Sequence, residues 1–198
     1  MIDYKKIADS IDYYEDKGFK RIESPWAVSI AVADITRPEG KKASNDYVIK
    51  HNNKALVASG EQSFLYLNLK NFLPPGMYQT VTPCFRNESF DFTHSKYFMK
   101  NELIITDGIY TRDRVLAIAN DAKEFFSKYI KEESLSIDKV GDISYDVNCN
   151  VEYKGKKRVI ELGSYGIRSC EFLTWIYGTG LAEPRLSRAQ KLYINGLS

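Results

Sequence analysis

The sequence has little net charge, no long hydrophobic run and no leader-like start. Its 198 residues carry a formal charge of +2 at pH 7, too small an excess to indicate nucleic acid binding by itself. No segment approaches the roughly 18 uninterrupted apolar residues that a membrane-spanning helix requires. Residues 1–19 are charged throughout and lack the apolar core of a signal peptide. These absences predict a cytosolic protein without a membrane anchor.

Cysteine is also scarce. Cys84, Cys149 and Cys170 form no short Cys-x-x-Cys spacing, so the simplest interpretation is small buried side chains in a reducing compartment. A zinc site built from Cys84, Cys149 and His94 is an alternative that the lack of paired spacing disfavours. What is present fits one globular domain over residues 1–198, because 43% hydrophobic residues at this length can bury a core.

Apolar periodicity predicts helices and strands in a mixed order. Strands follow one another through short turns, and helices are inserted only at intervals, which favours an α+β fold with a mainly antiparallel β-sheet flanked by helices. Helices are expected at residues 3–17, 59–69, 111–131 and 184–195. Strands are expected at residues 19–34 with a turn at Pro25, at 47–50 and 55–58, in a hairpin from 77 to 102, and at 144–152, 156–168 and 169–180.

The hairpin carries the most informative cluster of side chains. Its first strand ends in Arg86 and Glu88, and its return run closes with His94, Phe98 and Glu102 at four-residue intervals. An arginine at a strand end can hold a phosphate as a permanently charged fork. Glu88 points to the same face of the strand and can accept a hydrogen bond from an exocyclic amine. Taken alone, Arg86 and Glu88 fit a surface ion pair better.

Two glycine-marked strand ends hold further candidates. In the segment 177–189, glycines precede a predicted helix that begins with Pro184 and Arg185, so a guanidinium and free N–H groups meet at a helix N-terminus. Glu161 and Ser164 offer oxygen ligands of the kind that Mg²⁺ takes. The alternatives are a frequent Gly-x-Gly turn and a strand-end carboxylate without a ligand.

Another acidic residue lies at the start of the second predicted helix. Ser59 is a candidate N-cap, and Glu61 places a carboxylate in the first turn. A carboxylate at this position is also explained by its favourable interaction with the helix dipole alone.

In this order, the segments resemble the signature motifs of class II aminoacyl-tRNA synthetases, over residues 1 to about 195. The segment 177–189 is similar to the third motif, a strand-to-helix turn ending in an arginine. Ala182 replaces its third glycine and Pro184 its acid, so the role of that acid is not assigned to Glu183. The hairpin resembles the second motif, FRxE followed by H-x-x-x-F-x-x-x-E, through Phe85, Arg86, Glu88, His94, Phe98 and Glu102.

Three shorter segments extend the resemblance. Glu161 and Ser164 are similar to an E-x-x-S segment of seryl-tRNA synthetases that helps to bind the metal bridging the ATP phosphates. The triplet Ser59-Gly60-Glu61 falls where many members carry a Thr-x-Glu loop that grips the substrate α-amino group. The predicted first helix and Pro25 correspond to the first motif, which usually forms a dimer contact, so we expect a homodimer.

The resemblance implies activation of an amino acid or similar carboxylate by ATP with Mg²⁺ and release of pyrophosphate. It implies that Arg86 and Arg185 are catalytic and hold the α- and γ-phosphates. The implied ATP contacts are Arg86, Glu88, His94, Phe98 and Arg185. The implied substrate contacts are Ser59, Glu61, Glu102 and Arg168, and the implied metal ligands are Glu161 and Ser164.

Three functional hypotheses remain open from the sequence. The first is a minimal adenylating enzyme without an anticodon-binding domain, since the sequence ends soon after the third motif; transfer to tRNA is possible but unsupported by the charge. The second is a non-catalytic paralogue that acts as a binding or regulatory subunit. The third is an amide ligase similar to asparagine synthetase. The presence of both Arg86 and Arg185 favours a catalytic protein.

Overall fold

The computed structural model of the chain describes residues 1–37, 47–49, 52–87, 95–153 and 155–196. Within these ranges the helices are α1 (Tyr4–Asp16), α2 (Ile30–Ile35), α3 (Gly60–Leu69), α4 (Arg112–Ser127) and α5 (Arg185–Gly196), with a 3₁₀ turn at Glu132–Ser134. The strands are β1 (Lys20–Arg21), β2 (Ala27–Ser29), β3 (Val48–Ile49), β4 (Lys54–Leu56), β5 (Met77–Phe85), β6 (Tyr97–Ile105), β7 (Leu135–Gly141), β8 (Ser144–Tyr153), β9 (Lys156–Cys170) and β10 (Leu173–Glu183).

A seven-stranded sheet organises the molecule, with strand order β1-β5-β6-β10-β9-β8-β7. Only β1 and β5 run parallel, and every other neighbouring pair in this sheet is antiparallel. A second sheet has the order β2-β4-β3. The predicted α+β fold with a mainly antiparallel sheet is therefore confirmed.

The two faces of the large sheet are covered differently. Helices α1, α4 and α5 pack on one face, where Tyr14, Phe125 and Phe126 lie in the larger hydrophobic core. On the other face, α3 and the small sheet form a second core around Phe64 and Trp175. Each face contributes alternate residues of the same strands, as the two-residue period of a β-strand requires. The second face also carries the cavity described below.

The prediction of a strand through residues 19–34 is wrong in its second half. Ile30–Ile35 forms α2, despite a run of β-branched residues that favours strand. Val32 and Ala33 pack into the second core, and the Gln62 side-chain amide donates a 3.0 Å hydrogen bond to the carbonyl of Ala33. These contacts with α3 outweigh the local preference, because packing and a satisfied helix end stabilise a short helix more than propensity does.

Strand β7 was not predicted, and the boundary before β10 was placed too early. In β7 only Leu135 is fully buried, and the apolar alternation that begins with Leu135 and Ile137 stops at Lys139, so the pattern is too short to reveal the strand. The β9–β10 turn lies at residues 171–172, and β10 continues to Glu183. Helix α5 begins at Arg185, one residue later than expected, so Pro184 precedes the helix.

No helix in the described ranges is long and apolar enough to cross a membrane.

Candidate active site

The predicted site residues that the structure describes line one cavity of about 330 Å³ on the second face of the large sheet. Glu88 and His94, the other two, lie outside the described residues. The walls come from β6, β9 and β10, from the end of β5, from α2 and the residues that follow it, and from the first residues of α3 and α5. The predicted residues in the wall are Ser59, Glu61, Arg86, Phe98, Glu102, Glu161, Ser164, Arg168 and Arg185.

A break in strand register puts Glu161 and Ser164 on the same side. They are three residues apart, so simple alternation would direct them to opposite faces of β9. Between β8 and β9 the pairing shifts: Val147 faces Gly163, whereas the next residue of β8 faces Glu161. Leu162, which lies between Glu161 and Gly163 in the chain, is left out of the pairing, and an unpaired extra residue of this kind is a β-bulge. Both side chains therefore reach the cavity wall.

A second register shift, next to the first, shapes the wall formed by β10. The pairing with β6 skips Gly180, so Thr179 and Ala182 both line the cavity. A Cβ at Gly180 would lie 2.8 Å from a ring carbon of Tyr14 in α1. This glycine is needed for close packing of the sheet on a helix.

The end of the β5–β6 hairpin holds Arg86 against an aromatic ring. Arg86 Nε donates a 3.1 Å hydrogen bond to the carbonyl of Ala58, and the guanidinium carbon lies 5.1 Å from the centre of the Phe98 ring. The backbone N–H of Arg86 donates to the carbonyl of Lys96 at 3.0 Å, which continues the ladder one step beyond β5. These contacts fix a cation and a flat apolar surface side by side.

Four residues after Phe98 on β6, Glu102 is held by two donors. Ser59 Oγ donates to its Oε2 at 2.6 Å, and Lys100 Nζ donates to its Oε1 at 2.7 Å. Glu102 is 1% exposed, so its buried carboxylate is paired with a cation and has one hydrogen-bond donor on each oxygen. Ser59 is also the N-cap of α3, as predicted, and accepts from the N–H of Glu61.

Glu61 is enclosed by Trp175 and Arg168. Trp175 Nε1 donates to its Oε1 at 2.6 Å, and the Arg168 guanidinium pairs with its other oxygen. Burial raises the pKa of Glu61, and the nearby Arg168 charge only partly offsets this effect. Arg168 also lies over Tyr177, with 4.1 Å between the guanidinium carbon and the ring centre. The four side chains form one connected unit at the floor of the cavity.

Arg185, the first residue of α5, pairs with Glu161 of β9 in the cavity wall. Its Nη1 lies 3.2 Å from Glu161 Oε1 and 3.4 Å from the Glu161 carbonyl oxygen. Asp146 on β8 pairs in register with Ser164 on β9. Burial raises the pKa of Asp146, and the nearby carboxylates of Glu161 and Asp138 raise it further. Oxygen donors are thus concentrated where β8 and β9 meet the start of α5.

The zinc alternative finds no support in the geometry. Cys84 lies on β5 and Cys149 on β8, four strands apart in the sheet, which corresponds to roughly 19 Å at the usual strand spacing. One ion cannot bind both sulfurs across that distance. In the described ranges, no group of three or more His, Cys, Asp or Glu side chains is placed to hold a metal.

Sequence reasoning missed several residues of the site. Lys100 lines the cavity between Phe98 and Glu102, and alternation along the strand was enough to predict its direction. Asp146 and Trp175 could be placed only once strand register was known. Glu183, which was given no role, is buried, and its carboxylate accepts hydrogen bonds from the N–H and hydroxyl of Ser187.

The fold has clear counterparts among solved structures. The seryl-tRNA synthetase from Pyrococcus horikoshii, complexed with ATP, superposes with a TM-score of 0.66 at 15% identity, over 94% of this chain and 49% of that one. The cytoplasmic serine-tRNA ligase from Naegleria fowleri, in complex with AMP, gives 0.69 at 14% identity, over 98% and 53%. The pyrrolysyl-tRNA synthetase from Desulfitobacterium hafniense gives 0.69 at 16% identity, over 95% and 69%.

These likenesses are structural, and they extend over about half the length of the two seryl-tRNA synthetases. No protein-family model matches the sequence, and no curated protein matches it. The mainly antiparallel seven-stranded sheet and its flanking helices are the architecture that the chain shares with these enzymes. The chain has the fold of class II aminoacyl-tRNA synthetase catalytic cores.

Proposed function

We propose that the protein binds ATP and uses it to activate an amino acid or a similar carboxylate as an acyl adenylate, releasing pyrophosphate. The observation that carries this proposal is the convergence of the predicted residues. Side chains from α3, β6, β9 and α5, up to 126 positions apart between Ser59 and Arg185, line one cavity. Residues that matched the motifs only by chance would be scattered over the surface and would not line the same cavity. Solved structures with this fold that contain ATP or AMP support the nucleotide assignment.

The nucleotide occupies the Arg86 end and the Arg185 end of the cavity. The adenine stacks on the Phe98 ring, on the side that the Arg86 guanidinium leaves open, since aromatic faces attract flat bases. Arg86 holds the α-phosphate and Arg185 the γ-phosphate, because a planar guanidinium binds phosphate oxygens in pairs. Without a nucleotide, Arg185 pairs with Glu161, so the γ-phosphate replaces a carboxylate that is already bound there.

Glu161 and Ser164 fit the magnesium role that the sequence suggests. Their hard oxygen donors, with Asp146 beside Ser164, are the ligands that this cation prefers, and Mg²⁺ commonly uses only one or two carboxylates with phosphate oxygens and water. A Mg²⁺ ion held by these residues would neutralise part of the charge of the ATP phosphates. Transfer of Arg185 from Glu161 to the γ-phosphate leaves the Glu161 carboxylate available as a ligand.

The carboxylate substrate occupies the end formed by Glu61 and Glu102. Its α-ammonium group is attracted by these two buried carboxylates, and Arg168, held by Glu61, borders the same space. In the reaction a substrate carboxylate oxygen forms a bond to the α-phosphorus as the bond from that phosphorus to the bridging oxygen breaks. The electron pair leaves with pyrophosphate, and the protein contributes geometry and charge neutralisation.

The test is pyrophosphate exchange into ATP over a panel of amino acids, with ATP binding measured by calorimetry. We expect exchange with at least one amino acid, loss of exchange by at least a hundredfold in Arg86→Ala, and partial retention in Arg86→Lys. Arg158→Ala, on an exposed part of β9 outside the cavity, is the matched control and should behave as the unmodified protein. Absence of both exchange and ATP binding would contradict the proposal.

A separate assay identifies the acceptor. The amino acid that supports exchange is supplied in radioactive form with ATP and either bulk tRNA or ammonia. Label on tRNA indicates a synthetase, and labelled amide indicates an amide ligase. ATP binding without exchange for any amino acid would instead favour the binding or regulatory role.

A further inference from the structure

We propose that Lys100 is a catalytic residue of this reaction, whose ammonium group contacts the reacting carboxylate and the α-phosphate. This inference rests on the proposed function and names a residue that the motif resemblance did not assign. Lys100 lies on β6, and it lines the cavity together with Phe98 and Glu102.

The position of Lys100 along β6 is between the two binding ends. Residues two apart on a strand point to the same face and are about 6.8 Å apart. Phe98, with Arg86 over its ring, marks the nucleotide end, and Glu102, with Ser59, marks the substrate end. A bond between the two ligands must form between these ends, which is where the Lys100 side chain projects.

The neighbours of Lys100 on both adjacent strands are small. Ala182 on β10 and Thr82 on β5 are its partners in register, and Ala182 lines the cavity beside it. Neither side chain is long enough to cover the ammonium group. The lysine is nevertheless held in place, because Nζ lies 2.7 Å from Glu102 Oε1 and only 12% of its side chain is exposed. It is a fixed, largely desolvated cation that faces the cavity.

A cation in this position answers a specific electrostatic problem. The substrate carboxylate and the α-phosphate are both anions, and they must approach to bonding distance before the bond to the leaving pyrophosphate breaks. A positioned ammonium group lowers that repulsion and stabilises the charge on the phosphorus oxygens, without losing or gaining a proton. In a partly dry cavity this interaction is much stronger than it would be in water.

A purely structural role for Lys100 makes a different prediction. If the lysine only neutralises buried Glu102, its loss disturbs the binding of the substrate ammonium group and raises KM for the amino acid. If it contacts the reacting groups, its loss lowers kcat while ATP still binds. The two roles therefore separate in kinetics.

The experiment compares Lys100→Met with Lys100→Arg in pyrophosphate exchange, with ATP binding followed by calorimetry. We expect Lys100→Met to lower kcat by about a hundredfold or more, with the ATP dissociation constant changed by less than about threefold. Lys100→Arg should retain part of the rate, because it keeps a cation. Lys157→Met, on an exposed part of β9 away from the cavity, should leave exchange unchanged.

A second pair of variants covers the case in which Lys100→Met does not fold, because it leaves Glu102 buried without a cation. Glu102→Gln is compared with Lys100→Met/Glu102→Gln, so that both proteins lack the buried carboxylate. A further loss of kcat in the double variant supports the proposal. The proposal is wrong if kcat for exchange is the same in the unmodified protein and Lys100→Met, with only KM changed. It is also wrong if kcat is the same in Glu102→Gln and the double variant. If the unmodified protein binds ATP but exchanges nothing, both this role and the proposed reaction are wrong.

Discussion

Among the residues that the structure describes, three carboxylate–cation pairs line the cavity. In the two pairs whose glutamate is buried, the cation offsets part of the large cost of removing the carboxylate from water, whereas the carboxylate of the third glutamate, Glu161, is half exposed. A charged ligand that enters the cavity must take the place of one partner in such a pair. Binding therefore favours a ligand group with the same sign of charge as the side chain that it displaces. The pairs are Glu61–Arg168, Glu102–Lys100 and Glu161–Arg185.

The buried carboxyl of Glu183 gives a pH-dependent prediction outside the cavity. Burial raises its pKa, so the folded state favours the protonated form, and the stability that this group contributes is lost as the pH rises through the raised pKa. We therefore expect the unfolding free energy of the unmodified protein to fall relative to that of Glu183→Gln as the pH rises above about 4.3, the ordinary pKa of a glutamate.

Denaturant unfolding at several pH values measures this difference. Glu152→Gln, which removes an exposed carboxylate from β8, is the control for the loss of one negative charge. An unfolding free energy of the unmodified protein that stays constant or rises relative to that of Glu183→Gln as the pH increases would contradict the assignment.

The cysteines provide a second prediction at this scale. Burial raises the pKa of Cys84, and it raises the pKa of Cys149 to about 11, whereas Cys170 is partly exposed. Because the thiolate is the reactive form, Cys170 should be alkylated in the folded protein at about pH 8 while the other two react only on unfolding. Mass spectrometry of the native protein should show one modification, and Cys170→Ser should show none. Rapid labelling of Cys84 or Cys149 would show that the sheet opens there.

At the scale of elements, the two adjacent register shifts determine which side chains reach the cavity. One shift brings Glu161 and Ser164 to the same face, and the other does so for Thr179 and Ala182. Strand alternation alone would have separated each pair. When two residues of a predicted strand are expected to bind one ligand but lie an odd number of positions apart, a β-bulge between them is therefore indicated.

The bulge at Gly180 can be tested directly. Gly180→Ala adds a Cβ at 2.8 Å from the fully buried ring of Tyr14, so the sheet and α1 must separate. We expect a loss of about 1–3 kcal/mol in the free energy of unfolding, measured with denaturant. Gly141→Ala is the control, since its nearest contact is the Ser144 hydroxyl at 3.2 Å, and its effect should stay within about 0.5 kcal/mol. Equal effects for the two variants would contradict the packing argument.

Most helices and strands could be predicted from local signals, and the exceptions have physical causes. Asp3 and Ser59 cap α1 and α3 with side-chain oxygens, and apolar stripes continue from these caps. The segment 30–35 reads as strand because of its β-branched residues, yet it becomes helical through contacts with α3. Leu135 is the single buried residue of β7, so that strand forms mainly because β8 offers a partner.

For the molecule as a whole, ligand binding should appear as added stability. A ligand that binds only the folded state at about one hundred times its dissociation constant adds about 2.7 kcal/mol. For a chain of this size, that corresponds to a rise in Tm of roughly 5–10 °C. We expect this rise with ATP and Mg²⁺ in thermal unfolding, and no rise in Arg86→Ala. The rise should persist in Arg158→Ala, and a rise equal in both variants would place the nucleotide elsewhere.

The homodimer, the single-domain organisation and the transfer of an acyl group to tRNA stay predictions. Sedimentation at micromolar concentration tests the first, with an expected mass of about twice the 22.7 kDa of the chain. The small net charge of +2 is compatible with a small-molecule acceptor.

By itself, the sequence determined the class of fold and the chemical types in the cavity. Arg86, Glu102 and Arg185 could be identified from their spacing in the motifs and from their positions near predicted strand or helix ends. Both signals can be read from residues that are close together in the sequence. Tertiary structure alone decided that Glu61 is held by Trp175 and Arg168, that Asp146 lies beside Ser164, and that Arg185 pairs with Glu161. Those relations depend on strand register and on packing between distant segments. No local sequence pattern predicts strand register or this packing, because the residues in contact can be any distance apart in the sequence.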